Sequence, residues 1–160
     1  MDKVYLETSF FSACVSKRQT VKSAGWRASS VEWWERERHF FEVCISTEVT
    51  AELGNANFPE RAEALAMLRG IRILETRAEV QAVANVLVDE KVMPGPAVSG
   101  DALHVAFAIV HRIDYIVTWN IKHLANFNKR VHLGAVCLKL GVSAPQLVTP
   151  DVLKGSVGNG

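Results

Sequence analysis

Gly100-Asp101-Ala102-Leu103-His104-Val105-Ala106, followed by Asp114-Tyr115-Ile116-Val117-Thr118-Trp119-Asn120, decides how the chain is read. The first run opens on a carboxylate. Its apolar residues Ala102, Leu103, Val105 and Ala106, continued by Ala108, Ile109 and Val110, leave little polar face, which predicts a central helix. The second holds a short strand, Tyr115-Ile116-Val117, apolar on both faces as in a parallel sheet and ending on a polar side chain. In α/β proteins, helix N-termini and the carboxyl ends of strands face one crevice where ligands bind. Asp101 and Asn120 are therefore expected in the same site.

Working outward, Val4-Tyr5-Leu6 predicts a first strand, with Glu7 at its carboxyl end and a helix over Phe10–Val15 capped by Thr8 or Ser9. Taken alone, Glu7 reads as a solvated strand-end charge. Residues 16–30 are polar and read as a helix end and an exposed loop whose Lys17, Arg18, Lys22 and Arg27 either contact phosphates or only keep the surface solvated. A helix is expected from Ser30 to Phe41, its Trp33 and Trp34 serving packing or a dimer interface rather than base stacking. Val43-Cys44-Ile45 predicts a second strand, and Ser46 caps a helix bearing Glu48 and Glu52 that closes at Gly54-Asn55. A helix from near Pro59 to Gly70, a strand at Ile71–Leu74 and a helix capped by Thr76 follow. Residues 91–99 form a turn-rich loop. Beyond Asn120, a helix over Lys129–Leu140, an edge strand at Gln146–Val148 and a helix start at Pro150-Asp151 are expected. Strands alternating with helices predict an α/β fold, a three-layer α/β/α sandwich with a central, mostly parallel sheet of four or five short strands. Residues 1–154 are expected to form one domain and 155–160 a flexible, Gly-rich tail.

Composition narrows the class. With 160 residues, 49% hydrophobic and 22% charged, the chain suits one globular domain with a buried core. No apolar run has the length of a membrane span, and no signal-like N-terminus is present. Cys14, Cys44 and Cys137 lie far apart among apolar neighbours, the pattern of reduced, buried thiols in a cytoplasmic protein. The net charge of +1 neither favours nor excludes a nucleic-acid partner. The absence of a Gly-rich phosphate loop argues against a dinucleotide or Walker-type nucleotide site.

Glu7, Glu52, Asp101 and Asn120 stand at comparable places, after strands or on the helices that follow them. Like charges in one crevice repel unless a cation neutralises them. Oxygen donors without thiolates suit Mg²⁺ or Mn²⁺, which can activate a water and stabilise charge on a phosphodiester. Carboxylates also occupy strand ends and helix starts for structural reasons, so topology alone leaves both readings open.

Four runs, in order, resemble the motifs of the PIN-domain family: Tyr5-Leu6-Glu7-Thr8-Ser9, Ile45-Ser46-Thr47-Glu48-Val49-Thr50-Ala51-Glu52, Gly100–Ala106 and Asp114–Asn120. Within the family the chain is most similar to VapC-type toxins, in a subgroup with Thr118-Trp119-Asn120 where the fourth acidic motif usually falls. The resemblance implies a Mg²⁺- or Mn²⁺-dependent ribonuclease that cuts RNA to a 5′-phosphate and a 3′-hydroxyl. It also implies a homodimer and a cognate antitoxin. Glu7, Glu52 and Asp101 match the acidic metal-site positions, and Thr8 or Ser9 would hold the carboxylates or a water. Glu7 stands where the family usually has Asp, and Asn120 where many members have Asp. The second change keeps an oxygen donor but loses a charge, which predicts weaker metal binding. His104, one helical turn after Asp101, is expected to pack beside the site or to assist it. Lys122, Lys129 and Arg130 form a cluster that either contacts phosphates or is solvated.

The expected function is thus a metal-dependent endoribonuclease, the toxin of a type II toxin–antitoxin pair. A PIN-like RNA-binding or antitoxin-binding module that no longer cuts is the alternative, kept open by Glu7 and Asn120. A flap-type DNA nuclease fits less well, because the chain lacks room for extra DNA-binding helices.

Overall fold

Val4, Tyr5 and Leu6 are fully buried because their strand, β1 (Lys3–Leu6), lies at the centre of the sheet. A computed structural model describes residues 1–155. In chain order the elements are β1, α1 (Thr8–Val15), α2 (Val21–Glu32), β2 (Glu42–Ile45), α3 (Thr47–Asn55), α4 (Arg61–Met67), β3 (Arg72–Ile73), α5 (Ala78–Asp89), α6 (Asp101–Val110), β4 (Tyr115–Val117), α7 (Phe127–Leu140) and β5 (Gln146–Val148). The five strands run in the order β3-β2-β1-β4-β5, and every pairing is parallel. The chain is thus an α/β protein built on one central parallel sheet.

Parallel neighbours need crossovers, and these are right-handed. Connections stepping from β1 to β2 to β3 lay α1–α4 on one face. The return through α5 and α6 to β4, and α7 on to β5, cover the other. The order of strands reverses at β1 and β4, so the crevice outside their carboxyl ends is where a ligand site belongs.

Several local expectations change. Glu7, not Thr8 or Ser9, is the N-cap of α1; its carboxylate accepts the backbone N–H of Ser9, and Thr8 and Ser9 belong to the first turn. Residues 16–30 are not mainly loop: Thr20 accepts the N–H of Ser23 and caps α2, which runs to Glu32. The helix then widens into a π turn (Trp33–Glu37) and tightens into a 3₁₀ turn (Arg38–Phe40). This change of pitch buries Trp33 fully, its indole N–H bonded to the Leu153 carbonyl, and lays Trp34 under the Arg38 guanidinium. By contrast α3 does end at Asn55, although through extended backbone at Ala56 and not a left-handed glycine. The helix after β3 starts from Arg77, not Thr76, and α7 starts earlier than expected, where Asn126 accepts the N–H of Lys129. Pro150-Asp151 makes only a turn.

Gly155, assigned above to the tail, is packed: its N–H reaches Glu37 Oε2 at 2.8 Å, and an added Cβ would fall 2.5 Å from Phe40 Cβ. The rest of the expected flexible tail, 156–160, lies outside the described residues. All three cysteines are free and buried. Burial pushes the thiols of Cys14 and Cys44 up to about 12, so they are inert structural thiols. Among the described residues no helix is long and apolar enough to cross a membrane.

Candidate active site

The carboxyl ends of β1 and β4 are stitched together by both backbone and side chains. The Glu7 N–H bonds the Val117 carbonyl at 3.0 Å, extending the ladder one residue past the strands. The Glu7 side chain turns into the crevice and is only 5% exposed, so it is not the solvated charge its position suggests. One carboxylate oxygen accepts the Ser9 N–H at 2.5 Å, the other the Thr118 hydroxyl at 3.1 Å. The Thr118 oxygen in turn accepts the Asn120 N–H at 2.9 Å, and Ser9 Oγ accepts the Trp119 N–H at 2.9 Å. Glu7, Ser9, Thr118 and Asn120 are thus held as one unit across the two central strands.

Glu52 comes from α3, whose start is fixed by Ser46 accepting the N–H of Glu48. Glu52 Oε1 accepts the Thr8 hydroxyl at 2.5 Å and contacts His104 Nε2. Behind it, His104 Nδ1 lies 2.5 Å from the Tyr5 hydroxyl, which lies 2.7 Å from Ser46 Oγ. His104 is therefore a buried histidine packed against the site, linking β1 to α3 through Glu52. Asp101 opens α6 after Gly100, whose φ of +73° belongs to the left-handed region that favours glycine and sets the angle at which the helix enters. The Asn120 amide nitrogen donates to both Asp101 oxygens at 3.3 Å.

Glu7, Glu52, Asp101 and Asn120 line one open cavity of about 760 Å³, together with Thr8 and Ser9. His104 stands behind it. Lys122, Lys129 and Arg130 do not line it; Lys129 and Arg130 instead donate to the carbonyls of Val92 and Ala125. The cations that do line it are Lys17 and Arg18.

Burial shapes the electrostatics. It pushes the Glu7 carboxyl above the usual carboxylate range, partly offset by the His104 charge and the Ser9 N–H. Asp101 is raised for the same reason, against the pull of His104 and His123. Burial would raise Glu52 and lower His104, but their mutual hydrogen bond and charge outweigh it. Glu52 is held down and His104 up, each favouring the charged form of the other.

The donors are hard oxygens from carboxylates, an amide and hydroxyls, the kind that suits Mg²⁺ or Mn²⁺. In their present rotamers these groups bond to one another. Among the described residues no three His, Cys, Asp or Glu side chains are arranged to hold a metal ion. The donor set fits such a cation in kind, and a half-turn of the Asn120 amide would present its oxygen toward Asp101.

In the sequence Tyr5 and Thr118 stand out only inside their motifs, Ser46 only as a helix cap, and Trp26 not at all. Thr118 carried a signal, as the polar residue between β4 and Asn120. Tyr5 looked like core because only the fold brings His104 and Ser46 to its hydroxyl.

No protein-family model matches the chain, and no curated protein matches it by sequence. Solved structures do share its fold. One is a chain of the crystal structure of VapBC2 from Rickettsia felis bound to a DNA fragment from their promoter. It is 17% identical with a TM-score of 0.51, and the match covers 91% of this chain and 96% of that one. Another is a chain of FitAcB from Neisseria gonorrhoeae, 13% identical with a TM-score of 0.54, covering 94% and 99%. At these identities the likeness is one of architecture. The chain has a PIN-like α/β fold, shared over nearly its whole length with both structures.

Proposed function

We propose that the protein is a Mg²⁺- or Mn²⁺-dependent endoribonuclease, the toxin of a type II toxin–antitoxin pair. One observation carries this reading: Glu7, Glu52, Asp101 and Asn120, from four separate parts of the chain, line one cavity at the strand-order reversal. The fold likeness to VapBC2 and FitAcB supports it. A cognate antitoxin, a homodimer and a cytoplasmic location belong to the same proposal.

A divalent cation bound by Glu7, Glu52, Asp101 and the Asn120 oxygen would supply an activated water and offset charge on the phosphodiester. The chain's own residues do the positioning. Thr118 and Ser9 fix both oxygens of Glu7, so its orientation costs nothing further when substrate arrives. Thr8 and His104 hold Glu52 ionised and aimed at the crevice. Hydrolysis breaks the bond from phosphorus to the 3′ oxygen as the water oxygen bonds phosphorus, leaving a 3′-hydroxyl and a 5′-phosphate.

The test is cleavage of an RNA oligonucleotide by purified protein with Mn²⁺. Asp101→Ala is expected to lower the rate by about a hundredfold or more. Cleavage that survives this change sinks the assignment. A second reading, a module that binds RNA or an antitoxin without cutting, is favoured by the bonds that already satisfy Glu52 and Asp101. RNA binding in chelator, with no turnover when Mn²⁺ is added, would establish that reading instead.

A further inference from the structure

Facing the carboxylates, the other wall of the same cavity is built from a different chemistry. Ser16, Lys17, Arg18, Ser23 and Trp26 line it from α2 and the segment leading into it, with Phe58, Pro59 and Glu60 contributing from the turn before α4. Lys17 forms an ion pair with Glu63 at 3.2 Å, but both side chains are largely exposed and such a pair is easily exchanged. Trp26 is neither loose nor part of the core. One face of its indole stacks on Trp119, with centroids 4.8 Å apart and planes 11° from parallel. The Lys22 ammonium is 4.6 Å from its centroid.

Trp119 ties this wall to the site. It precedes Asn120, its backbone N–H is held by Ser9, and its indole N–H donates to the buried Ser30 hydroxyl at 2.7 Å. The position of Trp26 is thus set by the loop that carries Asn120. A fixed aromatic plane with Lys22 over its ring, in a cavity also lined by Lys17 and Arg18, matches a polymer in which planar rings alternate with anions. An acidic peptide would satisfy the cations but leave the indole without a planar partner.

We propose that this wall is a subsite for single-stranded nucleic acid. A base next to the phosphate in the cavity packs on Trp26, displacing the exposed Lys22 ammonium, and Lys17, Arg18 and Lys22 take the neighbouring phosphates. The inference rests on the reading of the opposite wall as a nuclease centre, because the cavity joins the two. It assigns recognition to α2, and it makes Trp26 a binding residue outside the acidic cluster.

Binding of a labelled single-stranded RNA, measured by fluorescence anisotropy with EDTA present, tests it apart from any cleavage. Trp26→Ala and Trp26→Leu, the second keeping apolar volume against Trp119, are each expected to weaken binding roughly tenfold. The same variants should bind an abasic oligonucleotide of equal length as the unmodified protein does. Lys17→Ala and Arg18→Ala should weaken both ligands and each flatten the dependence of log affinity on log salt by about 0.7. Equal losses for RNA and abasic chain in the Trp26 variants, no loss in either, or displacement of RNA by polyglutamate as readily as by unlabelled RNA, would overturn the subsite. The two readings fail separately. The expected binding pattern without Mn²⁺-dependent cleavage removes the nuclease and keeps the subsite. Cleavage with unchanged affinity in Trp26→Leu does the reverse.

Discussion

The two walls of the cavity are built on opposite terms. The acidic wall stands on the ends of the central strands, and Glu7, His104, Ser46 and Thr118 are all buried. Each polar atom there that leaves water is met by another, so its geometry is fixed and any deletion strands a partner. The facing wall stands on an outer helix and the segment leading into it, where Lys17, Arg18 and Lys22 are exposed and Lys17 and Lys22 make only an ion pair and a cation–π contact. Groups that must hold one orientation are placed where desolvation enforces it. Groups that only attract and cover a ligand are placed where water lets them move.

That contrast can be broken in graded steps. The largest effect is expected from Glu52→Gln, which removes the charge facing His104 and one carboxylate oxygen while leaving an amide oxygen to accept from Thr8. RNA cleavage should fall about a hundredfold or more, and a rate within a fewfold of the unmodified protein would show that this wall is not catalytic. Next is Tyr5→Phe, which takes away one oxygen and leaves His104 Nδ1 and Ser46 Oγ short of a partner. Urea denaturation should show a loss of about 1–3 kcal/mol, the cost of stranding buried polar groups. Unchanged stability would mean that the chain of buried bonds behind Glu52 is not structural.

Asn120→Asp probes the same wall from its rim. A second carboxylate facing Asp101 should lower the melting temperature in chelator and tighten Mn²⁺ binding roughly fivefold to tenfold, in line with about 1 kcal/mol of added attraction. Calorimetric titration with an unchanged Mn²⁺ affinity would refute the charge argument. Glu63→Ala, which takes away the ion-pair partner of Lys17 on the facing wall, should change stability by no more than about 0.5 kcal/mol, because that pair is exposed. A larger loss would erase the distinction between the walls.

The acidic wall was also the legible one. A short apolar strand followed by Glu7, and another followed by Asn120, place both residues at strand ends whatever their partners are. The burial of Glu7 was not legible, because a carboxylate after a strand normally meets water. Here it caps α1 and takes Thr118 from 111 residues further along the chain. Of the facing wall only the cations Lys17, Arg18 and Lys22 were legible, and neither the helix nor Trp26 was. Residues 16–30 lack an apolar stripe, so α2 depends on the Thr20 cap and on Trp26 lying against Trp119, a contact that exists only once the sheet has formed. At Trp33 and Trp34 a regular helical period was assumed. The π turn shifts that period, and no residue type announces it.

The central place of β1 has a consequence for how the protein is made. The strand synthesised first is flanked by β2 and by β4, so its second edge stays open until residues 115–117 have been translated. At about 5–20 residues per second, the interval between Glu7 and Thr118 leaving the ribosomal tunnel is roughly 6–20 seconds. Throughout that time a nascent chain carries Glu7 and Glu52 without the strand that turns them into one crevice. Any cutting activity is therefore delayed until most of the domain has been released from its own ribosome.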